Sequence, residues 1–127
     1  MWEAYDLKNE DMLWSCIAFM GGIAGRQKAP CGALSASAVC LGLRNRCAIQ
    51  DKPKAKQARI AIRDRAGELM DAFTKTFGAI GCLDLVGLDM SKPEEYQKFQ
   101  DSDIWKHKCN RYIAFIIEKL YEFEDRE

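Results

Sequence analysis

The sequence predicts an all-α fold, a small bundle of four to five helices. Three observations carry that expectation. Apolar residues recur at three- and four-residue spacing in the long segments, no segment sustains the alternation of a half-buried strand, and Gly or Pro punctuates the breaks. At 127 residues, with 48% hydrophobic residues and three Trp, the chain is long enough to bury one core. A single helical domain over residues 1–127 is the expectation.

The elements follow in order. Asn9 is placed to cap a first helix, with Glu10 and Asp11 at its positive end. Its apolar run "MLWSCIAFM" stops at Gly21-Gly22. The loop "GGIAGRQKA" leads to Pro30, which suits the first turn of a second helix, where its missing N–H has no intrahelical partner. That helix, "CGALSASAVCLGL", is made almost wholly of small residues. Cys31, Leu34, Ala38 and Leu41 share one face and Ala33, Ala36, Cys40 and Leu43 the other, so it should be the central packing axis, approached closely by its neighbours.

"NRCAIQDKPK" is a break, and Pro53 opens a third helix running to about Phe77. Ile62, Ala66, Leu69, Met70, Phe73 and Phe77 form its apolar stripe. Gly78 and Gly81 end it, and "CLDLVGLD" reads as a short buried turn of helix. "SKPEEYQKF" opens with Ser-x-x-Glu, a capping-box pattern that predicts a short surface helix. A last helix from about Asp103 to Glu124 carries Trp105, Cys109, Tyr112, Ile113, Ile116 and Leu120 on one stripe.

Charge is balanced, with 19 basic and 19 acidic residues, so bulk electrostatics point to neither nucleic acid nor an anionic membrane. The basic run from Lys52 to Arg65 reads as a solvated helix face. No stretch approaches the roughly 18 uninterrupted apolar residues of a membrane span. The N-terminus lacks the basic flank and apolar stretch of a signal peptide. A cytoplasmic protein with reduced thiols is expected, so the six cysteines read as ligands, redox groups or buried fillers rather than a disulfide frame.

No two cysteines stand closer than seven residues, which removes CxxC redox chemistry and zinc-ribbon knuckles. Any thiol site is therefore assembled from distant segments, and a buried cysteine taken singly is more often a small core hydrophobe. Placement separates the six. Cys31 lies at a helix start, where unpaired N–H groups and the dipole favour thiolate. Cys82 follows Gly81 at a chain reversal, and Cys109 points inward from the last helix. Cys40, among alanines, reads as packing, while Cys16 and Cys47 stay open. His107, the single histidine, falls on nearly the opposite side of its helix from Cys109 and should face solvent. The Gly21–Gly25 loop lacks the GxxxxGK[ST] of a phosphate loop and reads as a tight interhelical turn.

These residues resemble a known family. "GGIAGRQKAPCGALSA" is similar to the glycine-rich loop and CGAxxG motif of the small redox-active proteins named for their C_GCAxxG_C_C pattern, with Ala36 in place of the motif's closing glycine. Cys82 in "FGAIGCLDLVG" and Cys109 before "NRYIAFIIEKL" resemble that family's later cysteines. The likeness runs from about Tyr5 to Tyr121. It implies a helical domain whose cysteines converge on one redox or metal site, and kinship with the iron–sulfur part of split-Soret cytochromes. No CxxCH haem attachment is present.

The resemblance makes Cys31, Cys82 and Cys109 the redox and ligand candidates, for an iron–sulfur cluster or other thiolate-bound metal or for a metal-free dithiol. The family's first cysteine lies before the residues that match, and Cys16 or a partner protomer is the candidate fourth ligand. On this reading the protein passes electrons for a larger oxidoreductase. The alternative is a helical interaction module with a degenerate cysteine site, in which apolar surface left uncovered on the second and third helices is buried by a homodimer.

Overall fold

A computed structural model describes residue 1 and residues 3–126. Among them the fold is all-α, with no strand. Its helices are α1 (Asp11–Trp14), α2 (Gly32–Arg44), α3 (Lys52–Phe77), α4 (Cys82–Val86), α5 (Pro93–Asp101) and α6 (Asn110–Asp125). A 3₁₀ turn (Ile17–Phe19) follows α1, and a π turn (Trp105–Cys109) leads into α6.

The long helices start and stop for local reasons. Asp51 caps α3 by accepting from the Lys54 amide at 3.2 Å, Pro53 stands in its first turn, and Gly78 closes it in the left-handed conformation at φ +79°. α2 packs against both α3 and α6, which also meet each other, so the helix of small residues is central as expected. The core combines Leu34 and Leu41 of α2 with Leu69 and Phe73 of α3 and Ile116, Leu120 and Phe123 of α6. Phe73 is fully buried. Its ring lies within 6 Å of the rings of Phe77, Tyr112 and Phe115, in tilted and edge-on contacts that favour the quadrupole.

Several elements depart from expectation. The first helix does not run to Gly21. Ser15 turns its hydroxyl back onto the Met12 carbonyl at 2.7 Å, a side-chain competitor for helix geometry, and the chain continues as a 3₁₀ turn. Pro30 does not stand within α2. It forms an isolated antiparallel bridge with Gly81, and Cys31, extended at ψ 133°, becomes the N-cap.

The Ser-x-x-Glu signal makes no capping box. Ser91 donates instead to Asp89 Oδ1 at 2.6 Å, Glu95 accepts from the Asp89 amide, and Lys92 is the N-cap of α5. The π turn shifts the register at the head of the last helix, and Trp105 leaves the buried stripe at 44% exposure. Met70 and Ile113 are likewise exposed. Exposed large apolar side chains occur on α3 at Ile60 and Met70. On α2 none is found among the described residues; the others lie on the N-terminal segment up to Ile23, on α6, and singly at Ile49, Leu83, Tyr96 and Trp105. Among the described residues, no helix is long and apolar enough to cross a membrane.

Candidate functional site

Two short crossings bring the site segments together. Beside the Pro30–Gly81 bridge, the Cys31 amide donates to the Ile80 carbonyl at 2.7 Å and the Cys82 amide to the Ala29 carbonyl at 3.2 Å. Pro30 has no N–H to give, so its two neighbours carry the pairing. The bridge sets the start of α2 beside the start of α4.

The second crossing is the glycine-rich loop. From Gly21 to Gly25 five successive residues have φ between +52° and +70°, a left-handed turn that includes the β-branched Ile23. Such backbone costs L-residues about 1–2 kcal/mol each and collects at functional sites. The turn folds tightly enough that a Cβ on Gly22 would lie 2.8 Å from the Ala29 carbonyl oxygen and 2.9 Å from Cys82 Cβ. Gly32 admits the chain similarly, since its Cβ would meet the Phe19 carbonyl oxygen at 2.7 Å. Close approach at the small-residue helix thus occurs at its first residue.

These approaches enclose a cavity of about 610 Å³ lined by Cys16, Cys31, Cys82 and Cys109. The four sulfurs come from four separate segments: the turn after α1, the cap of α2, the first residue of α4 and the end of the π turn. Apolar side chains, among them Phe19, Leu85, Val86 and Phe99, make most of the remaining wall. Cys40 and Cys47 do not line it, and His107 is exposed.

Electrostatics tie the thiols to one another. Burial pushes the Cys82 thiol up, the Gln27 side chain hydrogen-bonds it and pulls the other way, and Cys31 and Cys109 as negative neighbours raise it further. Burial also raises Cys109, with Cys31 adding to the rise. Tyr112 is raised by burial and then by Cys109 and Cys31; its hydroxyl donates to the Leu85 carbonyl at 2.9 Å. Cys31 and Cys109 thus act on the Cys82 thiol, and Cys31 on the Cys109 thiol, in the same direction as burial. Cys40 is raised by burial and senses Cys16 and the chain's amino terminus.

Gln27 is the residue that sequence reasoning missed. It sits at φ +57°, 6% exposed, inside a segment whose composition reads as solvated loop. Its Nε2 donates to the Leu88 carbonyl at 2.9 Å, and its Oε1 accepts from the Met90 amide at 2.7 Å. It thereby latches the left-handed turn to the segment after α4. Nothing in local composition distinguishes this Gln from a solvated one.

Four soft thiols on one cavity are the donor chemistry that a thiolate-bound cluster takes. The tight convergence of three or more ligands that a single metal ion demands is absent among the described residues. Over residues 1–123 the chain matches the family described as "Putative redox-active protein (C_GCAxxG_C_C)". No curated protein and no solved structure matches it.

Proposed function

The chain belongs to this redox-active family, and from that premise we propose that its cavity is a thiol redox site in which two of Cys31, Cys82 and Cys109 cycle between dithiol and disulfide. The observation that carries the reading is the convergence of these three cysteines, from three separate segments, on the wall of one cavity. The left-handed turn beside them supports it, because strained backbone persists where the surrounding structure holds it for a purpose.

The test is a single turnover. Reduced protein is treated anaerobically with dithiodipyridine, and the products are mapped by mass spectrometry. The expected product is one intramolecular disulfide within the cavity set, reversed by dithiothreitol. Separate mixed disulfides with no protein disulfide would refute the dithiol reading.

A second reading rests on Cys16, whose presence on the same wall makes four thiols available. On this reading Cys16, Cys31, Cys82 and Cys109 hold an iron–sulfur cluster, which supplies one-electron transfer when bound. Iron and acid-labile sulfide in anaerobically purified protein are its expected signature. Protein containing neither iron nor zinc would remove it.

A further inference from the structure

We infer that the reaction partner of these thiols is a small, uncharged and predominantly apolar electron acceptor that enters the cavity. The inference rests on the dithiol reading and adds the class of substrate. Among the described residues, none of the lining side chains is Asp, Glu, Lys, Arg or His. Apart from the thiols, the polar side-chain atoms on the wall are the hydroxyls of Tyr96 and Tyr112, and that of Tyr112 already donates to the Leu85 carbonyl. The rim is apolar too: Ile17 and Met20 line the cavity while 66% and 69% exposed.

The neighbouring lysines stand outside the lining, though the positive charge of Lys108 is felt at Cys109. Lys108 donates to the Val86 carbonyl at 3.0 Å. Lys92 pairs with Asp89 and Glu95 beyond Met90. A charged molecule entering here would lose hydration with no charged side chain on the wall to pair with it, which costs heavily, whereas an apolar one gains the wall. The volume, about 610 Å³, lies within the range of small-molecule sites.

The reaction balances without a further reactant when the acceptor is a disulfide. One protein thiolate attacks the acceptor's S–S bond, releasing the first thiol. The second protein thiolate then displaces the other half, forming the protein S–S bond. Two electrons and two protons leave with the two released thiols.

Two acceptors of like chemistry and opposite character test the inference: uncharged dithiodipyridine and anionic dithiobis(nitrobenzoate). Each rate at the cavity thiols is divided by that reagent's rate with a small model thiol. The normalised preference for the uncharged reagent is expected to be about tenfold or more, reflecting the cost of bringing charge to an unpaired apolar wall. A normalised preference of one would overturn the inference. Ile113→Lys, a change at an exposed lining position, should raise the anionic rate several-fold. An unchanged anionic rate in the folded variant also counts against the inference. Disulfide formation at equal normalised rates with both reagents overturns the substrate class alone, while failure to form a disulfide with either removes the dithiol reading beneath it.

Discussion

Cys31 and Cys82 are held by a reciprocal exchange across one bridge: the Cys31 amide donates to the Ile80 carbonyl and the Cys82 amide to the Ala29 carbonyl. Each cysteine also begins a helix, so the pairing fixes two helix starts at once.

The space around this exchange is uneven, and glycine substitutions should report it. Gly22→Ala places a methyl against backbone and Cys82 at a positive φ, and a loss of about 2–4 kcal/mol is expected from strain and overlap together. Gly81→Ala, at φ −74° and with only Asp84 Oδ2 at 3.5 Å, should cost less than about 0.5 kcal/mol. Urea unfolding of the two variants checks the contrast, and equal losses would contradict the packing described.

Cys31→Ser should separate stability from chemistry. Cys31 caps α2 without a side-chain hydrogen bond, and serine is a preferred N-cap. Stability should hold or rise by up to about 1 kcal/mol, while reversible disulfide formation involving this position disappears. Thermal unfolding together with thiol mapping measures both. A large loss of stability would show that the sulfur serves packing.

Gln27→Leu removes the latch between the left-handed turn and the segment after α4. The Leu88 carbonyl and the Met90 amide lose their partner, an expected cost of about 1–3 kcal/mol. Hydrogen exchange at Met90 should accelerate beyond what the global loss of stability explains. Unchanged protection at Met90 would contradict the latch.

Tyr5 gives the fold an alkaline limit. Burial, with Glu124 adding to it and Arg44 opposing it, raises the Tyr5 hydroxyl to about 12. The folded state thus favours the protonated phenol. Its contribution to stability is complete below the unfolded value near 10 and is lost as pH rises toward 12. Tyr5→Phe should flatten that part of the melting-temperature profile. An identical alkaline decline in the variant would assign it to other groups.

The fold was legible where apolar spacing and punctuation agreed. Asp51, Pro53 and Gly78 mark α3, and the stripe of Tyr112, Ile116 and Leu120 marks α6. The first helix was not legible, because Ser15 competes for the Met12 carbonyl within an apolar run that otherwise reads as continuous. The left-handed turn was hidden for a different reason. Ile23 and Ala24 have no intrinsic preference for positive φ; they are held there by backbone hydrogen bonds such as Ala24 to the Ala18 carbonyl, by the packing of Gly22 against Cys82 and Ala29, and by the Gln27 latch. Of the site, the order and context of Cys31, Cys82 and Cys109 were readable, and Cys16 was named as a candidate beside them through the family resemblance, but the burial of Gln27 is a tertiary fact with no local signature.

The cavity thiols enter from positions 16, 31, 82 and 109 of a 127-residue chain, and this separation orders the molecule's assembly in time. Contacts so distant along the chain close late in folding, after the local helices have formed. While the chain is being made, Cys16 and Cys31 emerge as ordinary thiols in an unfinished peptide, with neither the enclosing wall nor their electrostatic neighbours. The thiol set comes into being only when the π turn carrying Cys109 docks. A nascent chain thus lacks the assembled four-cysteine cavity, and a chain truncated before Cys109 never acquires it.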